Sequence, residues 1–164
     1  MTGSFEQTIR AVAWVKNARS TPEDDRWGGV TSVIELDETI EEDALLGLDA
    51  FSHVVVLFAF HRLEGDVHFG LRHPRGNEAW PRVGIFAQRA RRRPNRLGVT
   101  CCRVERVEGR RLHVRDLDAI DGTPVIDIKP FMEEFAPRGV TEGKATRQPG
   151  WSRELMQSYW DDEL

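Results

Sequence analysis

The sequence predicts a mainly β fold, a single small β-barrel with short peripheral helices. Segments rich in β-branched and apolar residues recur from about residue 8 to residue 131, and few helical patterns alternate with them. No Gly-x-Gly-x-x-Gly follows a strand, and no phosphate-binding P-loop is present. These observations disfavour a doubly wound α/β sheet and favour a closed or nearly closed barrel. The 164 residues are most simply one domain, with a core at about 8–131 and a helical tail at about 150–164.

Seven segments of the chain carry the residue pattern of β-strands. They are residues 8–15, 30–36, 52–61, 83–87, 97–107, 111–117 and 125–128. Residues 52–61 are almost continuously apolar, which predicts a central strand covered on both faces. Residues 97–107 and 111–117 predict a hairpin whose turn contains Glu108 and Gly109.

Two short helices are predicted outside these strands. Thr39 is a candidate N-cap and Glu42, three residues later, could close a capping box, so we expect a helix at about residues 40–48. Ser152 is the candidate cap of a second helix over residues 152–160. Residues 62–82 form a long loop, and loops of this length in a compact domain are usually functional or disordered.

The composition is that of a globular protein without a membrane anchor. Hydrophobic residues make up 40% of the chain, and the longest apolar run, residues 54–60, is too short to cross a bilayer. The N-terminus lacks a basic region followed by an apolar one, so we expect no secretory signal and a cytoplasmic location. Cys101 and Cys102 would point to opposite faces of a strand, and we expect both to be reduced structural residues.

The distribution of charge is more informative than its sum. A net charge of −4 argues mildly against a general nucleic-acid binder, yet five arginines fall within residues 89–96. About 25 residues later comes the acidic turn 121–124, with the sequence Asp-Gly-Thr-Pro. A basic loop and an acidic turn joined by strands predict a site for a ligand that is both anionic and cationic. The basic loop can also attract phosphate groups.

Several motifs resemble those of the TsaA/TrmO family, and the resemblance runs from about Thr8 to Phe131. The motifs are Leu48-x-x-Phe51-Ser52-His53, Phe58-x-Phe60-His61, Phe86-Ala87-x-Arg89, Arg93-Pro94-Asn95-x-x-Gly98 and Leu117-Asp118-x-x-Asp121-Gly122-Thr123-Pro124-Val125-x-Asp127-Ile128-Lys129-Pro130. The family is described as S-adenosylmethionine-dependent methyltransferases that have a β-barrel in place of a Rossmann fold and act as homodimers. Its best-known members methylate N6 of the threonylcarbamoyl adenosine at position 37 of certain transfer RNAs. The resemblance therefore implies a TsaA-like barrel.

The resemblance implies S-adenosylmethionine as the cofactor and identifies the residues that would bind it. They are Arg26, Trp27, His61, Arg62, Arg89, Val99, Leu117, Asp118, Ala119 and Ile120. Arg89 could hold the cofactor carboxylate through a bidentate contact. Asp118 or Asp121 could accept a ribose hydroxyl or lie near the sulfonium. The first loop departs from the Pro-Arg-Gln that is usual in the family.

Asp121, Asp127 and Lys129 are the candidate catalytic residues. Methyl transfer requires a lone pair on the attacking atom, so a weakly acidic N–H needs a nearby proton acceptor. The alternative for the aspartates is structural, with Asp121 in a turn that Asp127 supports through hydrogen bonds. Lys129 is better suited to contact an anionic group of the substrate than to take a proton.

Arg91, Arg92, Arg93, Asn95 and Arg96 are the candidate substrate-binding residues. Crowding of like charges destabilises a loop, which favours phosphate contact or a substrate clamp over a merely solvated surface. Arg93 could instead lock the barrel through a buried pair.

The predicted function is that of a homodimeric methyltransferase that acts on transfer RNA. We expect no association with a membrane and no bound metal ion. The histidines match no familiar zinc spacing. The tail aromatics Trp151, Tyr159 and Trp160 are expected to pack the tail onto the barrel or a partner subunit rather than to stack on bases. Two alternatives remain open. One is methylation of a small molecule, because the chain is short and acidic, and the other is a non-catalytic module that binds S-adenosylmethionine or RNA.

Overall fold

Eight strands, one α-helix and six short 3₁₀ turns make up the regular structure of the residues described, 3–139 and 146–162, in a computed structural model. The strands are β1 (Ala13–Lys16), β2 (Thr31–Leu36), β3 (His53–Ala59), β4 (Leu71–Arg72), β5 (Val83–Gly84), β6 (Leu97–Glu108), β7 (Arg111–Arg115) and β8 (Pro124–Pro130), and the helix is α1 (Gly150–Leu155). Six strands close into an antiparallel barrel in the order β1-β2-β7-β6-β3-β8, with β8 pairing back to β1. The predicted β-barrel is therefore confirmed, while β4 and β5 form a separate two-stranded sheet.

The barrel interior is filled by every second residue of its strands. In β3 the side chains of Val54, Val56 and Phe58 are buried, and the residues between them are only partly covered. This alternation is the two-residue period of a strand with one covered face. The prediction that residues 52–61 are covered on both faces is therefore wrong. The alternation also separates the cysteines as expected, since Cys102 is buried and Cys101 is exposed.

A glycine allows β6 to pack tightly beside two aromatic rings. A Cβ on Gly98 would lie 2.6 Å from two ring atoms of Phe58 and 2.9 Å from the ring of Phe60. The two rings themselves meet edge to face, with centroids 5.5 Å apart. The absence of a side chain at residue 98 thus keeps the start of β6 within hydrogen-bonding distance of the end of β3, where the site described below is built.

The predicted helix at residues 40–48 is wrong. Two short 3₁₀ turns, Glu42–Leu45 and Leu48–Ala50, occupy this region and are separated by Gly47 at φ 92°. Thr39 does not cap either turn, because its N–H and hydroxyl groups both donate to the carboxylate of Asp37. A left-handed glycine breaks the helical backbone, so the capping pattern could not be extended into a full helix.

The other element boundaries shift by a few residues. The first strand begins at Ala13 rather than at residue 8, and the loop predicted over residues 62–82 contains the short strand β4, which pairs with β5. The second helix covers only Gly150–Leu155, and residues 156–160 continue as turns. The predicted tail at 150–164 extends into residues 163 and 164, which lie outside the described residues.

The segment after the helix, residues 156–162, runs along the first long loop of the barrel. We call this segment the C-terminal strap. Backbone N–H groups of Arg26, Trp27 and Gly28 donate to carbonyl groups of the strap at 2.9, 2.8 and 3.1 Å. Gly28 and Asp162 form a parallel bridge at its end. The strap thereby reaches one end of the barrel.

Candidate functional site

Most of the predicted site residues lie at one end of the barrel. At this end, which we call the site rim, β3 ends beside the start of β6, β7 ends beside the start of β2, and β1 ends beside the start of β8. The connections at this end are the first polar loop between β1 and β2, the arginine-rich segment of residues 89–96 before β6, and the turn of residues 121–124 that leads into β8. The barrel topology therefore collects segments that are distant in sequence.

The carboxylate of Asp118 is held from two sides. The hydroxyl of Thr100, on β6, donates to Oδ1 of Asp118, and the hydroxyl of Tyr159, in the strap, donates to Oδ2. Its neighbours Leu117 and Ala119 are buried against the barrel core, which fixes the backbone of this loop. The sequence predicted a role for Asp118 but neither of the residues that orient it.

Arg89 is anchored beside that carboxylate. Its Nη2 atom donates to the backbone carbonyl of Val99 at 2.5 Å, and Val99 directly precedes Thr100 on β6. The positive charge of Arg89 also acts on Tyr159, where it lowers the pKa and so opposes the larger effect of burial. The arginine-rich segment and the loop that precedes the acidic turn are thus tied to adjacent residues of one strand.

The loop of residues 117–120 contains unpaired backbone N–H groups, although Leu117, Ala119 and Ile120 are buried. Within the described part of the chain, the N–H groups of these four residues donate no hydrogen bond. The carbonyl of Ala119 accepts from the side chain of Asn17 at 2.8 Å, and the carbonyl of Ile120 accepts from Thr123. Buried backbone donors are usually paired, so the backbone of this loop is locally unsatisfied, and Asp118 is its one partly exposed residue.

Asp121 stabilises the turn and faces a histidine. Its carboxylate accepts from the backbone N–H of Asn17 at 3.1 Å, and its own N–H donates to the carbonyl of Arg19 at 2.7 Å. The imidazole of His61 lies near Gly122, 3.7 Å from the position that a Cβ there would take. Burial and then the charge of Arg62 lower the pKa of His61, while Asp121 opposes the shift. His61 is therefore neutral at neutral pH.

The first loop is braced by a buried arginine that the sequence analysis missed. The guanidinium carbon of Arg19 lies 3.7 Å from the ring centroid of Trp27. The same guanidinium pairs with Glu23 at 3.0 Å and donates to the carbonyls of Asp25 and Arg26. Trp27 is itself buried with Val30 and Ile120. Its ring therefore serves packing, and Arg26, held at φ 64°, is exposed.

The arginines of residues 89–96 divide into bound and exposed groups. Arg93 donates to the carbonyl of Gln88 at 2.7 Å and so closes its own loop, while Arg91 pairs with Asp24 at 3.1 Å. Arg92 and Arg96 are exposed. Asn95 and Arg96 both have left-handed backbone conformations, with φ of 63° and 51°. Such conformations cost energy in non-glycine residues and cluster at functional sites.

Two further residues of the site rim lie close to these groups. The Nη1 atom of Arg62 donates to the carbonyl of Ser20 at 2.5 Å, which ties the loop after β3 to the first loop. The backbone N–H of His68 donates to the carbonyl of Arg92 at 2.9 Å. Contacts of this type hold the loops of the rim against each other.

Asp127 and Lys129 lie apart from this group. Both are on β8, where they form an ion pair at 2.8 Å. Leu57 on β3 pairs with Asp127 on one side and with Val99 of β6 on the other. Two strand spacings, about 10 Å, therefore separate Asp127 from Val99, the residue that anchors Arg89. Asp127 instead borders an apolar groove of about 430 Å³, lined also by Leu45, Leu48 and Phe51.

Two residues at the site, Arg19 and Thr100, escaped the sequence analysis, and Tyr159 was predicted only to pack the tail onto the barrel or a partner subunit. Arg19 is 6% exposed and Thr100 is 6% exposed, although both are polar residues in ordinary sequence surroundings. Gly28 is the sequence feature that could have indicated the strap. A Cβ at this position would lie 2.1 Å from the carbonyl oxygen of Trp160, so only glycine allows another backbone segment to pack this closely.

Other chemistries find little support at this rim. Among the described residues, no group of three or more His, Cys, Asp or Glu side chains is arranged to hold a metal ion. Burial raises the pKa of the Cys102 thiol to about 12, so this thiol is un-ionised at neutral pH. No helix in the described ranges has the length and apolar character needed to cross a membrane.

The sequence matches characterised proteins over the barrel. The family model described as the tRNA-methyltransferase O N-terminal domain matches residues 12–136. A human protein named tRNA (adenine(37)-N6)-methyltransferase is 41% identical over 106 residues, which are 62% of this chain and 23% of the relative. An Escherichia coli protein of the same name is 42% identical over 98 residues, 56% of this chain and 41% of the relative. The chain thus covers less than half the length of these relatives.

Shorter relatives and solved structures agree with this match. A Methanothermobacter thermautotrophicus protein named probable S-adenosyl-L-methionine-binding protein is 48% identical over 98 residues, 59% of this chain and 67% of the relative. A crystal structure of TrmO superposes with a TM-score of 0.67 at 27% identity, covering 90% of this chain and 64% of that chain. The predicted family resemblance is confirmed. Because the family model covers most of the chain, the protein belongs to the TrmO family through a tRNA-methyltransferase O N-terminal domain.

Proposed function

We propose that this protein is an S-adenosylmethionine-dependent methyltransferase that acts on N6 of an adenine in transfer RNA. The observation that carries the proposal is the convergence of Arg89 and Asp118 on adjacent residues of β6, beside a row of unpaired backbone N–H groups. This convergence lies within the segment that matches the family model. The names of the relatives support both the cofactor and the substrate class.

The residues at the site rim fit the chemical groups of this cofactor. Arg89 is exposed and retains donors that can bind the cofactor carboxylate. Each oxygen of Asp118 accepts one hydroxyl and keeps a second acceptor position for a ribose hydroxyl or an ammonium group. Asp118 is the one partly exposed residue of the 117–120 loop, and its free N–H group would donate to the adenine edge. Arg26, His61 and Arg62 would complete the rim of the binding site.

Within this proposal the protein aligns the reactants and manages one proton. S-adenosylmethionine, when bound, supplies an electrophilic methyl group on a sulfonium sulfur. The chain must hold the acceptor nitrogen in line with that group, and alignment of this kind is worth up to about 7–11 kcal/mol. Asp121 and the neutral His61 are the acceptors nearest the Asp118 loop for the proton that the nitrogen loses.

We propose further that the substrate is threonylcarbamoyl adenosine at position 37. The threonyl group of this nucleoside carries a carboxylate, and Lys129 presents an exposed ammonium that could meet it. Asp127 is paired with Lys129 and would orient it, rather than take a proton itself. The exposed side chains of Arg92 and Arg96 would contact phosphates of the anticodon loop. Action on transfer RNA would place the protein in the cytoplasm.

We also propose that the protein acts as a homodimer through the outer face of β3 and β6. Val99 is 40% exposed, Cys101 is exposed, and Val55 and Leu57 beside them are only half-buried. The strand pairing places these four side chains in one strip next to the Arg89 anchor. Val99→Asp would place a charge in the strip and is expected to shift the protein from dimer to monomer in sedimentation analysis. A wild-type protein that sediments as a monomer would remove this part of the proposal.

A second candidate function is a binding module without catalysis. It is favoured by the relative from Methanothermobacter thermautotrophicus, which is named a binding protein and matches this chain over two thirds of its own length. Small-molecule methylation is the third candidate, because the chain is short and has a net charge of −4, and Arg91 is already paired with Asp24.

Two measurements separate these functions. Calorimetry with S-adenosylmethionine tests the site, and no binding at millimolar cofactor would reject both methyltransferase candidates and leave only a module that binds RNA. Transfer of a labelled methyl group is then compared between bulk transfer RNA, transfer RNA lacking the threonylcarbamoyl group, and a metabolite extract. We expect label at N6 of adenosine only in the first. Label in both RNA samples would reject the threonylcarbamoyl substrate, and binding without any transfer would favour the module.

A further inference from the structure

We propose that the C-terminal strap forms one wall of the cofactor site and that Tyr159 is a positioning residue for Asp118. This inference rests on the proposed cofactor, and it assigns a role to a segment that lies outside residues 12–136 of the family match. The observations that carry it are a close backbone contact, a buried side-chain cluster and one hydrogen bond.

The strap is attached to the first loop through its backbone. Three consecutive N–H groups of residues 26–28 donate to carbonyl groups of the strap at 2.8–3.1 Å. The chains approach so closely that a Cβ on Gly28 would lie 2.1 Å from the carbonyl oxygen of Trp160 and 3.0 Å from that of Asp161. A gap this small excludes every residue but glycine unless the backbone moves. The loop sequence is therefore suited to a strap that stays in place.

The strap is also held by its side chains. Tyr159 packs against the buried cluster of Trp27, Val30 and Ile120. Upstream, the indole N–H of Trp80 donates to Glu154 of α1 at 2.9 Å. Two of the packed residues, Trp27 and Ile120, are residues that the family resemblance assigns to cofactor binding. The strap thus covers their side chains, and within the 117–120 loop Asp118 is the one residue that stays partly exposed.

The hydroxyl of Tyr159 fixes the orientation of the Asp118 carboxylate. Tyr159 and Thr100 each donate to a different oxygen of Asp118, so rotation of the carboxylate would break a hydrogen bond on either side. Burial, followed by the charge of Asp118, raises the pKa of Tyr159. Tyr159 therefore remains a protonated donor throughout the physiological range. A fixed acceptor loses less freedom when it binds a ligand, which increases affinity.

A competing role for the strap makes the opposite prediction. If the strap were a cover that the cofactor must displace, then weakening its attachment would increase cofactor affinity. A wall that positions Asp118 predicts lower affinity when the same contacts are removed. The sign of the change in cofactor affinity therefore decides between the two roles.

The test is calorimetric titration of the full 164-residue chain with S-adenosylmethionine. Tyr159→Phe keeps the ring in its cluster and removes only the hydroxyl, and we expect about a tenfold increase in the cofactor dissociation constant. The lost hydrogen bond to a charged group should also lower the free energy of unfolding, so stability alone does not report the positioning role. In an Asp118→Asn background, the same Phe substitution should cause no further loss, because the oriented carboxylate is already gone.

Gly28→Ala is a second test of the strap, and it leaves Tyr159 and Asp118 unchanged. The added methyl group displaces the strap backbone, and we expect at least the same loss of affinity as for Tyr159→Phe. Gly70→Ala is the matched control, because a Cβ at Gly70 meets no atom within 4 Å and its affinity should equal that of the wild type.

The outcomes distinguish this inference from the proposed function. Absence of cofactor binding by the wild-type chain would reject the proposed function, and with it the role of the strap. Wild-type binding with unchanged affinity in Tyr159→Phe would reject only the positioning role. Tighter binding by Tyr159→Phe or Gly28→Ala would show that the strap is a displaceable cover and would also overturn the inference.

Discussion

Replacing Thr100 by valine removes one of the two hydroxyl groups that hold Asp118 while preserving the shape of the side chain. Thr100 is 6% exposed, so water has little access to replace the lost donor. A hydrogen bond to a charged group contributes about 1.5–3 kcal/mol. We expect Thr100→Val to lower the free energy of unfolding by that amount. In an Asp118→Ala background the threonine has no acceptor, and the same substitution should cost less than about 0.5 kcal/mol.

The measurement is a double-mutant cycle in urea, followed by tryptophan fluorescence. Asp118 lies at the site rim outside the main cluster of buried residues, so its replacement by alanine is expected to leave the barrel folded. Thr123→Val is the matched control, because Thr123 is equally buried but donates to the carbonyl of Ile120. Its effect should add to that of Asp118→Ala. The account of Asp118 is wrong if Thr100→Val and Asp118→Ala are additive to within about 0.5 kcal/mol.

Two further predictions concern charge at the site rim. Since burial and Arg62 lower the pKa of His61, this residue gains its proton only below the ordinary value of 6.5, and the new positive charge should then weaken binding of the sulfonium cofactor. His61→Gln should abolish this acidic loss of affinity in calorimetric titrations across pH. Replacing Arg91, Arg92 and Arg96 by alanine should weaken capture of transfer RNA and reduce the slope of log affinity against log salt by about 1.4, at about 0.7 for each of the two phosphate contacts assigned to Arg92 and Arg96.

Controls for these two predictions are available in the same chain. His113→Gln alters a histidine on β7 that pairs with Glu108 on the β6–β7 hairpin, and it should leave the pH dependence of cofactor binding intact. A triple alanine variant at Arg103, Arg106 and Arg111, around the same hairpin, removes equal charge and should leave the salt slope unchanged. Equal effects of the two triple variants would mean that net charge alone attracts RNA. A wild-type pH profile without an acidic step would contradict the role given to His61.

The barrel was predictable because its signal is local. Alternating or β-branched runs separated by turns specify strands, and the shortage of helical patterns excludes the common α/β folds. The helix predicted from the Thr39 pattern failed because two local details decide the backbone there. Asp37 binds the threonine that was expected to cap, and Gly47 takes a left-handed conformation. Both effects depend on side-chain and backbone geometry that a hydrophobic pattern does not record.

The site was predictable only where a family motif marks it. Arg89 and Asp118 were identified through the resemblance, and the structure ties both to β6. Thr100 and Tyr159 were not identified, because their role follows from strand register and from a contact between segments 41 residues apart. Asp127 and Lys129 were grouped with Asp121 by proximity in sequence. A strand carries them away from the rim, so their catalytic and substrate-binding roles stay predictions.

Closure of the sheet has a consequence for how such a protein can diversify. Every strand of the barrel has a neighbour on both sides, so no free edge is available for an additional strand. Polypeptide that follows the last barrel strand therefore attaches by other means than strand addition, here to the loop of residues 26–28. Such appendages can be exchanged, lengthened or lost without disturbing the interior.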